Sequence, residues 1–323
     1  MPKDRPVFSI VIPAFNEERF LPRCLESLKN QDFKDFEIIV VDNNSTDKTA
    51  EIAKKFGAIL LFEKNQGVAF ARQKGFQSAR GKIIATTDAD TILPKNWLSR
   101  IFEEFKKDKD LVAFGGSCEF YSGPISAKLA SKFLLKPFLF LDKIFSGGWS
   151  LMGCNMAIKK EAFLRVGGFN TNLKLNEDIE ISHRLSKIGK VILDPNFKVK
   201  TSGRRYRNGL ILGLITYCLP TISRVLFKRY DKFQRFPPVR KEEVSLLGKI
   251  SFPILSFFIF LFLLFHFLTP KTAVAKNFVA KNLTRIKVVE IKIKNGIKND
   301  FSKVKNLKLK NEKNFHRFLR HIG

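Results

Sequence analysis

The chain has 323 residues, of which 45% are hydrophobic, enough for a sizeable core in one large domain. Its 58 lysines and arginines against 30 acidic residues give a formal net charge of +28, which indicates a polyanionic partner such as nucleic acid, anionic lipid or a phosphate-bearing substrate. The four cysteines include no C-x-x-C pair and the four histidines are sparse, which argues against a zinc site and favours free thiols.

The N-terminal part of the chain alternates between two hydrophobic periodicities. Short apolar and β-branched runs predict strands at 8–12, 37–41, 58–62, 82–86 and 111–118. Apolar residues spaced three or four apart predict helices between them, at 20–28, 47–56, 67–79 and 94–106. This alternation predicts an α/β fold with a mostly parallel sheet, helices on both faces, and ligands beyond the carboxyl ends of the strands.

After residue 119 the alternation breaks down. An amphipathic helix with interspersed lysines is predicted at 125–145, and apolar periodicity predicts further helices at 161–166, 177–188 and 208–227. Shorter apolar runs predict strands at 152–159, 191–193 and 197–201. These elements predict that the sheet continues to about residue 207. Beyond it the sequence consists of apolar segments and a basic tail.

A hydrophobic segment and a basic tail follow. Residues 250–268 are almost entirely apolar, and 19 helical residues rise roughly 28 Å, just enough to cross a bilayer; a buried core helix is the alternative. The tail at 271–323 holds 12 Lys and 3 Arg against 3 acidic residues. The predicted organisation is an α/β domain at 1–207, an amphipathic linker at 208–248, a transmembrane or re-entrant segment at 249–270, and a basic tail at 271–323.

The strongest chemical motif is Thr87-Asp88-Ala89-Asp90, directly after a buried strand. Two carboxylates two residues apart at a strand end can share one hard cation, and Mg²⁺ or Mn²⁺ accepts such ligands while keeping sites for phosphate oxygens. An ordinary polar turn is the alternative. The position at the strand end favours Asp88 and Asp90 as metal ligands.

Other polar side chains follow neighbouring elements. The loop after the first strand runs from Pro13 through Phe15 to Glu17 and leads into a helix, whose exposed amides suit phosphate or ribose groups. Asp42 ends the second strand and can accept a hydrogen bond from a base or ribose, while Ser45–Asp47 is expected to cap the following helix. Arg72 can reach diphosphate oxygens with its planar fork, a solvated helix face being the alternative.

Together these segments resemble the family 2 glycosyltransferases, which have the GT-A fold. The resemblance lies in six segments in the family's order, SIVIPAFNEE (9–18), VDNNSTDKT (41–49), GVAFARQKG (67–75), TDAD (87–90), GCNMAIKKEAFLRVGGF (153–169) and NEDIEISHRL (176–185). Each is weak alone, but jointly they are specific and cover about residues 7–205. The resemblance implies inverting transfer of a sugar from a nucleotide-diphosphate sugar, with assistance from a divalent cation, Mn²⁺ or Mg²⁺.

The resemblance also assigns residues by position. It places Asp42 at the nucleotide base and the Pro13–Glu17 loop at the nucleoside, and it gives Asp88 and Asp90 to ribose and metal. Glu177 and Asp178 match the family's acidic pair near the acceptor, with Asp178 as the general base. Gly153 and Asn155 would shape the acceptor side. The alternative for the acidic pair is simple N-terminal capping of its helix, to which Asn176 would contribute.

One departure from the family's pattern limits the prediction. The Gln-x-x-Arg-Trp element of many processive members is absent, and Arg204 and Arg205 stand in a loop that could close over diphosphate or a lipid phosphate. We therefore expect a non-processive enzyme with a lipid-linked or polysaccharide acceptor, attached to an anionic membrane surface with its catalytic domain on the cytoplasmic face. The alternative is a non-catalytic basic protein that binds membrane or nucleic acid. Nucleic acid is the less favoured partner, because the basic tail lacks regular aromatic interleaving.

Overall fold

The computed structural model describes residues 5–207, all of which belong to the first of the chain's two structural units, Met1–Ser256. Within that range a single eight-stranded sheet runs in the order β3-β2-β1-β4-β7-β6-β8-β5. Its strands are β1 (Phe8–Ala14), β2 (Phe36–Asp42), β3 (Ile59–Phe62), β4 (Ile83–Thr86), β5 (Thr91–Ile92), β6 (Leu111–Phe120), β7 (Met156–Lys159) and β8 (Lys190–Thr201).

The helices connect these strands in the alternation that the sequence predicts. They are α1 (Leu21–Lys29), α2 (Thr49–Lys55), α3 (Val68–Ser78), α4 (Trp97–Lys107), α5 (Ile125–Phe133), α6 (Leu135–Ser146), α7 (Lys160–Arg165) and α8 (Glu177–Leu185), followed by a 3₁₀ turn at Arg204–Tyr206. The predicted α/β class with a mostly parallel sheet is confirmed.

The parallel half of the sheet brings the predicted polar strand ends to one edge. β1 lies between β2 and β4, with Ala14 opposite Asp42 and Val11 opposite Thr86. Because all three strands run the same way, the loops after Ala14, Asp42 and Thr86 leave from the same edge. This register places the loop ending in Glu17 beside the Asp88–Asp90 turn.

The remaining strands make the sheet mixed. β7 pairs antiparallel with both β4 and β6, whereas β6 pairs parallel with β8. β7 therefore carries the chain that precedes it, Gly153 to Asn155, back to the edge where β4 ends. Two hydrophobic clusters cover the two faces of the sheet, one around Trp97 and the other around Phe76.

Several element boundaries differ from prediction. The two short strands predicted at 191–193 and 197–201 form the single strand β8, whose pairing with β6 shifts register after Asp194 because Pro195 lacks a donor. The helix predicted at 125–145 is divided at Leu134 into α5 and α6. The strand predicted at 152–159 begins only at Met156, and β5 was not predicted at all.

Some expectations concern residues outside the described range. They are the helix at 208–227, the hydrophobic segment at 250–268, the basic tail and the boundaries of the last three regions. Among residues 5–207, the structure contains no helix that combines the length and the apolar character needed to cross a membrane.

Candidate active site

The centre of the candidate site is the turn that follows β4. Asp88 is half-buried, and Asp90 accepts a hydrogen bond from the Thr201 hydroxyl at the end of β8, with 3.1 Å between Oγ1 and Oδ1. The Tyr121 hydroxyl donates to the backbone carbonyl of Asp90 at 3.2 Å. The turn is therefore held by residues from β8 and from the loop after β6, both distant in sequence.

A buried guanidinium ties this turn to the loop after β1. Both terminal nitrogens of Arg204 donate to the Glu17 carboxylate, at 3.0 and 2.6 Å, and Nη2 also lies 3.0 Å from Asp90 Oδ2. The guanidinium packs 4.3 Å from the centre of the Phe20 ring. A bidentate pair with a stacked aromatic ring fixes the guanidinium in one orientation.

The electrostatics at Asp90 suit a cation. Burial, opposed by Arg204 and reinforced by the negative charges of Asp88 and Glu17, raises the pKa of Asp90 to about 6. Within residues 5–207 no three acidic, histidine or cysteine side chains are arranged to hold a metal by themselves. A divalent ion held by Asp88 and Asp90 would have to complete its coordination with water or phosphate oxygens, as Mg²⁺ usually does.

A second buried guanidinium, that of Arg72 in α3, joins the Asp88 turn to α8. Its Nη2 lies 2.6 Å from Asp88 Oδ1 and its Nη1 donates to Glu177 Oε1. The Arg72 and Glu177 side chains are each 4% exposed, whereas that of Asp88 is 41% exposed. Arg72 therefore lies beneath the site and connects its two acidic motifs instead of lying on a solvated helix face.

Gly153 makes room for this connection. A Cβ atom at position 153 would stand 2.3 to 2.4 Å from three atoms of the Arg72 guanidinium, which is closer than non-bonded atoms can approach. The Gly153 amide also donates to Asp178 Oδ2 at 2.7 Å. The glycine thus admits the guanidinium on one side and positions a carboxylate of the acidic pair on the other.

The two members of the acidic pair have different surroundings. Burial raises the pKa of Glu177 against the opposing charge of Arg72, and that side chain has almost no exposure. Asp178 is half-buried, and burial raises its pKa while Arg72 and the amides of Gly153 and Ile179 oppose the shift. Only Asp178 combines a fixed orientation with access to a ligand.

The loops after β1 and β2 interlock. Asp42, which is buried, accepts from the Ser45 amide at 3.1 Å. Asn16 lies in the left-handed region at φ 52°. Its side-chain oxygen accepts from the backbone amide of Thr46, and its backbone amide donates to Ser45 Oγ at 2.9 Å. These bonds place Pro13, Phe15, Glu17 and Asp42 along one edge, which is where the sequence places a nucleoside.

Three details of the sequence prediction are wrong. Asn155 is completely buried. Its side chain donates to the carbonyls of Ser117 and Phe197 and accepts from the Trp97 indole, so it supports the core and cannot line a ligand site. Asn176 adopts a left-handed conformation and makes no side-chain cap for α8. Within the predicted capping segment Ser45–Asp47, Ser45 is wrong because it accepts from the Asn16 amide, whereas Asp47 does accept from the amide of Thr49, the first residue of α2.

The structure also contains site residues that sequence reasoning missed. Thr201 and Tyr121, which hold Asp90, carry no motif that would single them out. The pairing of Glu17 with Arg204 spans 187 positions, and each residue was predicted separately without the contact between them. The opposite charges on two predicted ligand-binding loops were the one available signal.

Comparison with known proteins agrees with this arrangement. The family model described as glycosyl transferase family 2 matches residues 9–167, which include the loop after β1, the Asp88–Asp90 turn and Gly153. Residues 9–167 of the chain therefore belong to glycosyl transferase family 2. The match ends before α8, so the assignment of Glu177 and Asp178 to the site rests on the geometry described above.

Individual relatives support the same family. The uncharacterized glycosyltransferase EpsJ of Bacillus subtilis is 32% identical over 116 residues, 34% of this chain and 34% of EpsJ. The glycosyltransferase AglE of Haloferax volcanii is 28% identical over 193 residues, 57% of this chain and 62% of AglE. The alignments therefore cover less than two thirds of either relative.

A solved structure confirms the fold of this family 2 chain. The mannosyltransferase PcManGT from Pyrobaculum calidifontis, in complex with GDP-Man and Mn²⁺, superposes with a TM-score of 0.52. The likeness covers 71% of this chain and 70% of that one at 20% sequence identity. The predicted GT-A architecture is thereby confirmed.

Proposed function

We propose that the protein is an inverting glycosyltransferase that moves a sugar from a nucleotide-diphosphate sugar to a lipid-linked or polysaccharide acceptor, with a divalent cation and with Asp178 as general base. The observation that carries this proposal is the Arg72 bridge. One buried guanidinium contacts Asp88 on the donor side and Glu177, the neighbour of Asp178, on the acceptor side. A catalyst that joins two substrates needs its two half-sites in fixed register.

The donor half consists of the edge that Pro13, Phe15, Glu17 and Asp42 form. Asp42, at the tip of β2, has a carboxylate that can accept from a base or ribose. The structural neighbour PcManGT binds GDP-Man and Mn²⁺, which supports a nucleotide-sugar donor and a divalent ion here. Asp88 and Asp90 would hold that ion, which would neutralise the diphosphate leaving group when bound.

The acceptor half centres on Asp178. An acceptor hydroxyl attacks the anomeric carbon, a new C–O bond forms, and the bond from that carbon to the diphosphate oxygen breaks with its electron pair. The hydroxyl proton passes to Asp178, whose Oδ2 is oriented by the Gly153 amide. The raised pKa of Asp178 makes it a stronger base than an exposed aspartate.

The two arginines have distinct roles in this proposal. Arg72 keeps Asp88 and Glu177 in register, and Arg204 holds Glu17 and Asp90 together. Arg205 follows Arg204 in the 3₁₀ turn, and its charge opposes the rise in the pKa of Asp90. We assign it to the diphosphate that Asp90 would hold through the metal.

The proposal includes attachment to the cytoplasmic face of a membrane, since nucleotide sugars are cytosolic and residues 228–249 are basic. A non-catalytic basic protein is the competing function. It would have no use for the two buried Arg–carboxylate clusters, which are costly to maintain without a ligand to organise.

A donor screen tests the proposal. The full chain is incubated with UDP- and GDP-sugars, Mn²⁺ or Mg²⁺, and a membrane lipid extract, and nucleoside diphosphate release is measured. We expect metal-dependent release with one donor class, lost on chelation and reduced at least roughly a hundredfold in Asp90→Asn. Asp194→Asn, a comparable change within β8 at a residue that pairs with Arg100, is the control. Full release by Asp90→Asn, or no binding of any nucleotide sugar, would contradict the proposal.

A further inference from the structure

The surface outside the site has one concentration of exposed apolar side chains. Of the nine large hydrophobic residues exposed among residues 5–207, six lie on α5 and α6, namely Ile125, Leu129, Phe133, Phe140, Ile144 and Phe145. Ile125 is 72% exposed and Ile144 73% exposed. Soluble surfaces seldom group large apolar residues in this way without a partner.

These residues are arranged as stripes. Ile125, Leu129 and Phe133 are spaced four apart on α5, and Phe140 and Ile144 are spaced four apart on α6. Residues four apart lie on the same side of a helix. Each helix therefore presents an apolar stripe to its surroundings, and together with Phe145 we call these stripes the docking face.

The charges around the docking face have one sign. Lys128, Lys132, Lys136 and Lys143 stand on the same two helices, and the last three are exposed. The single acidic residue of this segment, Asp142, is buried. Lysine can extend its ammonium away from an apolar surface that its methylene groups help to cover. Apolar side chains flanked by lysines fit the boundary between acyl chains and anionic headgroups.

The docking face is attached to the candidate site at both ends. Before α5, the Tyr121 hydroxyl donates to the Asp90 carbonyl, and Ser122 contacts Ser202 at 2.8 Å between hydroxyls. After α6, the Leu151 amide donates to Ser182 of α8, and the Gly153 amide donates to Asp178. The helices leave the sheet beside the proposed metal ligands and return beside the proposed base.

We infer that the docking face binds an anionic lipid surface and so brings the acceptor half of the site to the bilayer. The acceptor class that this arrangement selects is a lipid-linked one. That consequence rests on the proposed function, whereas the binding of lipid by α5 and α6 does not.

The chain carries its own reporter for this inference. Its two tryptophans are Trp97, which is fully buried, and Trp149, which stacks edge-to-face on Phe140 with ring centres 5.5 Å apart. Bromine atoms on lipid acyl chains quench tryptophan only at short range. Quenching in the full chain therefore reports whether the end of α6 enters the bilayer, whatever residues 208–323 do.

The experiment uses vesicles of equal parts dibrominated phosphatidylcholine and phosphatidylglycerol, with flotation to measure the bound fraction. We expect quenching in the full chain and its loss in Trp149→Phe. Replacing Ile125, Leu129 and Phe133 by serine, or Lys128, Lys132 and Lys136 by glutamine, should lower quenching more than about twofold at equal bound fraction, because α5 and α6 then lose the apolar or the electrostatic attraction that holds them at the lipid surface. These variants leave Phe140 and Trp149 unchanged.

Matched controls carry the same kinds of change elsewhere. Phe62→Ser with Leu164→Ser removes exposed apolar residues, and Lys54, Lys55 and Lys106 to glutamine removes exposed charge. Both controls should quench as the wild-type chain does. Vesicle-bound protein without quenching of Trp149 would overturn the inference, as would variants of the docking face that quench normally.

Two further outcomes are decisive. If the wild-type chain dimerises without lipid and the serine variant does not, while Trp149 remains unquenched, the docking face binds a second copy and the inference fails. Failure of nucleotide-sugar binding with intact quenching would overturn the proposed function and leave the docking face standing. Metal-dependent nucleotide-sugar binding by the serine variant shows that its site remains folded.

Discussion

The Arg72–Glu177 pair allows a quantitative test of how the site is held together. Both side chains are 4% exposed, so Arg72→Met leaves a buried carboxylate without its partner. Breaking a buried ion pair in this way typically costs about 3–5 kcal/mol of folding free energy. The contact of Arg72 with Asp88, which is 41% exposed, adds only about 0–1 kcal/mol. We therefore expect Arg72→Met to destabilise the protein by about 3–5 kcal/mol at pH values above neutral, where Glu177 is ionised.

The second substitution removes the buried charge. In Arg72→Met with Glu177→Gln, the two charges vanish together, and neutral replacements of a buried pair are often tolerated. The double variant should therefore be more stable than Arg72→Met alone, by about 2 kcal/mol or more. It should remain inactive, because the link between the donor and acceptor halves is still lost.

The pH dependence of Arg72→Met provides an internal check. Burial raises the pKa of Glu177 in the folded chain, and without Arg72 that rise is larger. The unfolded carboxyl titrates near about pH 4.3, so the folded state binds a proton that the unfolded state releases above that value. Wild type shares this loss up to the folded pKa of its own Glu177, about 7, so the variant should fall further behind wild type only as the pH rises above about 7, and the difference should shrink on acidification.

Urea unfolding followed by tryptophan fluorescence at several pH values measures these differences. The control is the pair Arg184 and Glu180 on α8, whose side chains are 27% and 14% exposed. Arg184 is changed to methionine and Glu180 to glutamine. That pair should show weaker coupling because solvent screens it. Additive effects of Arg72→Met and Glu177→Gln, or a cost below about 1 kcal/mol for Arg72→Met, would refute the account of a buried bridge.

Three other predictions follow from contacts around the site. Gly153→Ala should reduce transfer roughly a hundredfold and also lower stability, because its Cβ would displace the guanidinium of Arg72 from Glu177, whereas Gly148→Ala, with no atom closer than 3.9 Å, should be neutral in the same release assay. Arg204→Lys should weaken nucleoside diphosphate binding about tenfold by calorimetry, because an ammonium cannot replace the bidentate fork on Glu17; equal binding would contradict this. Glu37→Gln should cost about 1.5–3 kcal/mol at neutral pH, because bonds from Ser9 and Arg80 outweigh burial and lower the pKa of Glu37. That stabilisation is present above about pH 4.3 and is lost as pH falls through the lowered pKa, so wild type and variant should converge in acid, and a difference that persists there would contradict the assignment.

Much of the fold follows from local pattern. The buried runs that form β1, β2 and β4 are nearly continuous in apolar and β-branched residues, as strands covered on both faces must be. Their polar ends could be predicted to meet because parallel strands share an edge. The two-residue strand β5 has no pattern of its own and exists only because Thr91 and Ile92 pair with the end of β8.

The contacts within the site were harder to predict. Arg72 was predicted to reach diphosphate oxygens from α3, and nothing local indicates that Gly153 admits its guanidinium beneath the Asp88 turn. Asn155 lies within a family motif, yet its hydrogen bonds to Trp97, Ser117 and Phe197 make it part of the core. Such roles depend on contacts between residues far apart in sequence, which periodicity and spacing do not encode.

Asp178→Asn tests the central claim most directly. The substitution keeps the shape of the side chain, and its amide oxygen can still accept from the Gly153 amide. It gives up the bond from the Ile179 amide and the ability to take a proton. We predict nucleoside diphosphate binding within about twofold of wild type and a loss of transfer of roughly a hundredfold to ten-thousandfold. Glu180→Gln on the same helix should retain transfer. Undiminished transfer by Asp178→Asn would contradict the account.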